Sequence, residues 1–283
     1  MYWSKGVFHM LLAVFFFSLM NVLVKLLPHI PAIEIVFFRA LVSLIISVSI
    51  LKIAKVKIWG NNKKILILRG ATGMIALILY FKLVQSIPLA SAATILFLAP
   101  IFTTILGIFI VKEKVHPIQW LFFLISFVGI LLVRGFDDRI QPIHLAIGIV
   151  ASIFSGLAYN FIRKLKTSET PLVIIFYFPL VTMPVTGALS YFDWVTPVGY
   201  DWLILIGVGI LTQTAQYFMT KSYQSEELSK VASLRYLSII FAWAYGFFIF
   251  NETYNLLAYL GIILALSGVG LNLWFKKVMI GKS

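Results

Sequence analysis

Long apolar runs separated by short polar connections fill the chain from one end to the other. A helix of about 20 apolar residues crosses the hydrocarbon core of a bilayer, and each run has about that length. Proline stands at several run boundaries, where it fits the first turn of a helix. The pattern predicts an all-α membrane protein with ten transmembrane helices. We number the runs one to ten in chain order, at residues 6–27, 34–53, 64–86, 88–111, 117–134, 142–162, 171–191, 201–221, 229–250 and 254–275.

The fourth run is repeated later in the chain. Residues 88–113 align without a gap with residues 227–252, and both segments end in a glutamate, Glu113 and Glu252. A repeated membrane segment indicates a repeat architecture. The same offset of 139 residues brings further polar and small residues into register: Asn21 with Asn160, Lys25 with Lys164, Lys82 with Lys221, Gln85 with Gln224, and Gly129 with Gly268.

This offset divides the chain into two halves, residues 1–139 and 140–283, each with five runs. Because five is an odd number, the second half crosses the membrane in the opposite direction to the first. Inverted repeats of this kind are common in secondary transporters, whose substrate site lies at the repeat interface. The predicted fold class is therefore ten transmembrane helices in two inverted five-helix repeats.

The composition agrees with a chain that lies mostly in lipid. Of its 283 residues, 61% are hydrophobic and 12% are charged, whereas soluble domains are about 25% charged. The net charge of +13 would suggest nucleic acid in a soluble protein, but here membrane topology explains it, and we expect no nucleic-acid partner. With the N-terminus in the cytoplasm, the outer connections hold only Arg134 and Arg139. We therefore expect both termini to be cytoplasmic, in the cell (inner) membrane.

Three segments carry a resemblance to a known family. They are GIFIVKE at residues 107–113, its partner GFFIFNE at residues 246–252, and FFRAL at residues 37–41. With the two five-run halves, the sequence resembles the drug/metabolite transporter superfamily, EamA type. The resemblance implies a central cavity lined by runs 1–4 and 6–9, with runs 5 and 10 packed at the periphery. It also implies the transport of small polar metabolites. One departure is that the fourth run contains Pro100, where the ninth has Ile239.

Four cations within or near the runs are the first candidates for a substrate site. Arg39 lies about five residues into the second run, roughly 7 Å deep, and Arg235 lies similarly deep in the ninth. An arginine that faces lipid costs several kcal/mol, so it usually faces a cavity or a partner. Lys25 and Lys82 lie near the outer ends of the first and third runs. Two alternatives stay open: the lysines could extend to the interface, and the arginines could be structural anchors.

Neutral polar side chains on the proposed cavity helices complete the candidate substrate site. Asparagine in a membrane helix often forms a hydrogen bond to a neighbouring helix and does not contact a ligand. Tyr236 is the stronger candidate, because it follows Arg235 directly. The set comprises Asn21, Tyr80, Tyr159, Asn160, Gln213, Tyr236 and Ser238.

The acidic residues lie at the ends of runs or in the connections, which disfavours a proton relay through a buried carboxylate. Glu113 and Glu252 end the fourth and ninth runs, where the helix dipole disfavours a carboxylate. Each therefore needs a partner, as a loop anchor or as a gate. Gly261 and Ala265 form a small-residue spacing that could support a homodimer through the fifth and tenth helices.

The predicted function is secondary transport, by alternating access, of a small polar metabolite with an anionic group. Buried cations without a mid-membrane carboxylate favour an anionic substrate. The alternative is an exporter of neutral or zwitterionic amino-acid-like solutes, and a lipid-flipping or scaffold protein ranks below it. We expect no enzyme, since no hydrolase, metalloprotease or phosphate-loop motif occurs, and we expect neither cofactor nor metal.

Overall fold

The computed structural model describes residues 4–112, 115–135, 139–226, 231, 233–253 and 255–280. Within these residues the chain is helical and contains no strand. Two 3-10 turns occupy Tyr191–Asp193 and Ser233–Leu237. The α-helices are α1 (Lys5–Lys25), α2 (Ala32–Ile53), α3 (Lys63–Ser86), α4 (Leu89–Ile95), α5 (Leu98–Ile110), α6 (Pro117–Gly135), α7 (Pro142–Lys164), α8 (Pro171–Ser190), α9 (Asp201–Ser225), α10 (Ser238–Phe250) and α11 (Leu256–Ile280).

Seven helical segments are long and apolar enough to cross a membrane. They are α1, α2, α3, α7, α9, the combined segment of α4 and α5, and α8 with the turn that follows it. Within the described residues, three further apolar helices are shorter, at Pro117–Gly129, Ser238–Phe250 and Tyr259–Asn272. The protein is therefore an all-helical integral membrane protein, and the number of ten spans stays a prediction.

The fourth and ninth runs are both interrupted. α4 ends at Ile95, and the turn before α5 places Pro100 in the first turn of α5, where its missing N–H costs no helical hydrogen bond. In the described part of the ninth run, the 3-10 turn Ser233–Leu237 precedes α10, which begins at Ser238. That turn contains no proline. The proline of the fourth run is therefore not the only route to a broken helix here.

The main helix contacts join the first half of the chain to the second. α1 packs against α9, α2 against α8, α3 against α7, α4 against α10, and α6 against α11. One buried apolar cluster combines side chains from both halves, among them Leu27, Phe81, Leu98 and Leu205. Since lipid is as apolar as these side chains, close van der Waals packing holds the helices together. The two halves therefore fold as one packed unit.

Two glycines allow α6 and α11 to approach each other closely. A Cβ atom at Gly129 would lie 2.6 Å from the carbonyl oxygen of Gly261, and one at Gly268 would lie 2.6 Å from that of Phe122. Ser126 donates a hydrogen bond to the carbonyl of Ala265 across the same interface, at 3.3 Å. The backbones of α6 and α11 thus lie in close contact, which small residues make possible between membrane helices.

The same packing changes the expectation about a homodimer. Gly261 and Ala265, whose spacing suggested a dimer contact, face Gly129 of the same chain. Their small side chains are therefore used within the subunit, and the reason given for the dimer is wrong. A dimer through the outer faces of α6 and α11, where Leu121 and Leu260 are about half exposed, stays a prediction.

We expect Gly268→Ala to destabilise the protein and Gly270→Ala to leave it unchanged. The two glycines lie in α11, but a Cβ at Gly270 would meet no atom within 4 Å. Overpacking at Gly268 should cost about 1–3 kcal/mol, whereas an added methyl group at Gly270 fits helix propensity. Thermal unfolding of the purified variants in detergent measures both effects. Equal unfolding temperatures for the two variants would show that the interface is loose.

Candidate functional site

A cavity of about 110 Å³ lies between helices of both halves. Its lining comes from α1, α2, α3, the fourth run, α7, α8, α9 and the start of the ninth run. The interrupted parts of the two broken runs contribute Leu96, Phe97 and Arg235 to it. Of the residues predicted for the substrate site, the cavity brings together Asn21, Arg39, Tyr80, Tyr159, Arg235 and Ser238.

Arg39 and Arg69 form one cationic group in the cavity wall. Their guanidinium carbons lie 4.9 Å and 4.7 Å from the ring centre of Phe178, and both side chains are almost fully buried, at 1% and 2% exposed. Cation–π contact of this kind stabilises a desolvated guanidinium by about 2 kcal/mol. Both arginines therefore contact the same aromatic ring, and both keep their charge inside the protein.

α9 supplies a neutral hydrogen-bond acceptor to each of these arginines. Arg39 donates from Nε to Thr212 Oγ1 at 2.9 Å, and Arg69 donates from Nη2 to Gln216 Oε1 at 2.9 Å. Thr212 and Gln216 are four residues apart, so they lie on one face of α9. Nη1 of Arg39, together with Nε and Nη1 of Arg69, is buried without a hydrogen-bond partner among the described residues. These N–H groups are free to bind an anion.

Arg235 forms a second cationic group on a different aromatic surface. Its guanidinium carbon lies 4.6 Å from the ring centre of Tyr159, and Tyr159 stacks on Tyr223 with ring centres 5.0 Å apart. Within the described part of the chain, Nη1 of Arg235 is buried without a hydrogen-bond partner. Asn21 also lines the cavity, and its Oδ1 is likewise buried without a hydrogen-bond partner among the described residues. This side of the cavity thus offers both a charged donor and a neutral acceptor.

The electrostatic character of the cavity follows from its lining. Among the described residues that line it, three are arginines and none is acidic. Most of the other lining residues are aromatic or aliphatic, and apolar surroundings lower the local dielectric constant and strengthen the effect of each charge. The arrangement is suited to bind anions, and the described residues contain no cluster of metal-ligating side chains.

Several predicted site residues lie elsewhere. Asn160 is buried and donates to the carbonyls of Thr103 at 2.9 Å and Gly156 at 2.8 Å, so it acts as a bond between α7 and α5. Gln213 donates to Ser47 Oγ at 2.8 Å, and Lys82 is exposed. The side chain of Tyr236 lies outside the described residues, as does Glu113.

Lys25 is engaged at the end of the helix bundle and does not line the cavity. Its Nζ lies 2.6 Å from Glu252 Oε1 and donates to the carbonyl of Ile87 at 3.0 Å. Glu252 also accepts from the backbone N–H of Leu89 at 2.9 Å. Because Leu89 begins α4, the carboxylate stabilises the positive end of that helix dipole. One ion pair thus ties together the end of α1, the start of α4 and the end of α10.

Sequence reasoning missed Arg69, which the positive-inside count assigned to the cytoplasmic side. Arg69 lies five residues into the third run, as Arg39 does in the second, so the argument used for Arg39 would have found it. Phe178 carries no comparable signal, because aromatic residues are frequent throughout the chain.

Comparison with known proteins adds a family and several relatives. The model of a family described as EamA-like transporter family matches residues 4–135 and 143–274. The pseudopaline exporter of Pseudomonas aeruginosa is 29% identical over 92% of this chain and 93% of its own. Solute carrier family 35 member G1 of Homo sapiens is 26% identical over 96% of this chain and 80% of its own. The S-adenosylmethionine uptake transporter of Rickettsia prowazekii is 25% identical, with coverages of 88% and 85%.

One solved crystal structure has the same fold. It matches with a TM-score of 0.76 at 14% sequence identity, and the match covers 98% of this chain and 99% of the other. At that identity the likeness concerns the fold alone.

Proposed function

This chain belongs to the EamA-like transporter family, and we propose that it moves a small polar metabolite with an anionic group across the cell membrane. The observation that carries the proposal is a cavity with three arginines and, among its described lining residues, no carboxylate. A buried charge without a partner is costly. A bound anion supplies that partner and removes this free-energy cost, which returns when the anion is released.

The geometry of arginine supports an anion more than a neutral solute. A guanidinium group binds a carboxylate or phosphate through two parallel hydrogen bonds. Arg69 keeps Nε and Nη1 without partners among the described residues, so both nitrogens retain N–H groups that an anion can accept from. The zwitterionic alternative needs an acceptor for its ammonium group, and Oδ1 of Asn21 is the observation in its favour.

The relatives support small-molecule transport in general. An exporter of pseudopaline and an uptake transporter of S-adenosylmethionine act in opposite directions on different solutes. Membership of the family therefore does not determine the substrate or the direction of transport. We infer the substrate class from the charge of the cavity instead.

We further propose that the chain forms ten spans in two inverted repeats, residues 1–139 and 140–283, with both termini in the cytoplasm. Equivalent hydrogen bonds support the repeat: Gln85 donates to the carbonyl of Ile30 at 2.8 Å, and Gln224 donates to that of Glu169 at 2.9 Å. The two donors are 139 residues apart in the chain, and so are the two acceptors. Inversion puts these two bonds at opposite membrane faces.

Alternating access is the mechanism that we propose for this architecture. The repeat interface holds the substrate site, and the two halves open toward opposite faces in turn. The pair Lys25–Glu252 holds α1, α4 and α10 together at one end, whereas Lys164, the repeat equivalent of Lys25, is exposed. In this mechanism the ion pair is the closed gate of the outer face.

Substitution of the cavity arginines tests the substrate class. We expect Arg39→Lys and Arg235→Lys to weaken anion binding although the charge is kept, because lysine loses the paired geometry. The loss of one charge-assisted hydrogen bond should cost about 1.5–3 kcal/mol, or about 10–150-fold in affinity. A thermal-shift screen with organic acids, sugar phosphates and amino acids identifies ligands, and counterflow in proteoliposomes measures their transport.

The exposed Lys166→Arg serves as the control and should behave as wild type. The anion proposal fails if only neutral or cationic compounds bind, or if both folded Arg→Lys variants bind anions like wild type. A lipid-flipping or scaffold protein would show no saturable counterflow of a solute.

Cysteine labelling tests the topology, and the chain has no cysteine of its own. Lys57 lies exposed in the connection between α2 and α3, and Tyr200, which precedes α9, is 82% exposed. We expect an impermeant maleimide to label Tyr200→Cys on intact cells, and Lys57→Cys only after permeabilisation. Labelling in the reverse order would contradict the proposed orientation.

A double-mutant cycle on Lys25 and Glu252 tests the gate. Lys25→Met alone removes the cation that lies 2.6 Å from the buried Glu252 and should cost about 3–5 kcal/mol. The double variant Lys25→Met/Glu252→Gln removes both charges, so most of the stability should return. We expect this stable double variant to change the counterflow rate several-fold, since the outer gate no longer closes on an ion pair. A wild-type rate would make the pair a loop anchor only.

A further inference from the structure

We propose that the transported substrate carries two separate anionic groups, one bound by Arg39 and Arg69 together and the other by Arg235. The inference rests on the proposed function, because it specifies the substrate class of the same cavity. It is carried by the distribution of three buried guanidinium groups over two aromatic surfaces. A substrate with a single anionic group matches only one of them.

The first anion position is defined by two like charges that the fold holds against the same aromatic ring. Arg39 and Arg69 lie against the same ring, Phe178, and each repels the charge of the other. Their hydrogen bonds to Thr212 and Gln216 go to neutral oxygens, which leave both charges uncompensated. Three N–H-bearing nitrogens remain without partners among the described residues. One carboxylate or phosphate between the two guanidinium groups relieves the repulsion and fills these sites.

The second anion position lies against a different aromatic ring from the first. Arg235 lies on Tyr159, which belongs to α7, whereas Phe178 belongs to α8. Arg235 is also carried by the interrupted ninth run, while Arg39 and Arg69 come from α2 and α3. All three line the same cavity. A solute inside it therefore meets cations on two walls.

The balance of charge requires more than one negative group. Each uncompensated ion in a protein interior costs several kcal/mol. A monoanion in this cavity leaves two of the three cations unneutralised, and a neutral solute leaves all three. A dianion reduces the excess to one positive charge, which the aromatic faces of Phe178 and Tyr159 can stabilise.

The dimensions of the cavity guide the choice of probes. Its volume is about 110 Å³, several times the volume of about 10–15 Å³ that one water molecule needs. Compact solutes with two anionic groups, such as dicarboxylates of about four or five carbons or a phosphorylated hydroxy acid, are therefore the first probes.

Matched probes test the number of anionic groups. We choose succinate, succinamate and succinamide, which differ only by replacement of carboxylate with amide, together with malonate, glutarate, adipate and 3-phosphoglycerate. Binding to the purified full-length protein is measured by thermal shift and by competition in counterflow. We expect the best dianion to bind about tenfold or more tightly than its half-amide, and the neutral diamide not to bind.

Arg235→Gln separates the two anion positions. This variant should lose affinity for the best dianion by about tenfold or more, while its affinity for the half-amide stays within about twofold of wild type. The discrimination between dianion and half-amide should therefore disappear. Lys166→Gln removes an exposed charge outside the cavity and should keep the full discrimination. Thermal unfolding without ligand confirms that both variants are folded.

The outcomes distinguish this inference from the proposed function. If half-amides or other monoanions bind as tightly as the best dianion, the substrate has one anionic group, and the inference is wrong while anion transport stands. If Arg235→Gln weakens monoanion and dianion equally, the second position does not exist. If no anion in the series binds or competes, the proposed function itself is contradicted.

Discussion

A guanidinium charge inside a membrane protein must have a polar or aromatic partner, because lipid cannot solvate it. Arg39 and Arg69 are almost fully buried yet have no carboxylate among their hydrogen-bond acceptors, Thr212 and Gln216. Aromatic faces replace the counter-ion at both cationic groups. The cavity combines these buried charges with neutral acceptors on α9 and with Arg235 from the 3-10 turn of the ninth run.

The helix contacts show how this constraint is met. Each of the main helix pairs joins the two halves of the chain, so the cavity lies where neither half alone could enclose it. The backbones of α6 and α11 lie in close contact with each other, and none of the described residues of these two helices lines the cavity. The polar side chains of the cavity therefore come from the other helices, whereas the interface between α6 and α11 consists of closely packed small residues.

The sequence predicted the helical membrane fold, since the length of an apolar run is a local property of consecutive residues. It predicted the site only in part. Asn21 and Asn160 are equivalent in the repeat, but Asn21 lines the cavity while Asn160 bonds to two backbone carbonyls. That difference, like the pairing of Lys25 with Glu252, depends on tertiary contacts that no local pattern records. Arg69 could have been found, because its position in its run equals that of Arg39.

Three positive charges in one cavity also make the protein sensitive to voltage. Moving one elementary charge through the full membrane potential changes the free energy by about 2.3 kcal/mol per 100 mV. In the proposed cycle, an empty cavity carries its arginines through part of the electric field each time it reorients. A bound dianion acts as a mobile counter-ion and lowers the charge that moves. The return of the empty carrier is therefore the electrically active step, and the membrane potential favours one direction of it.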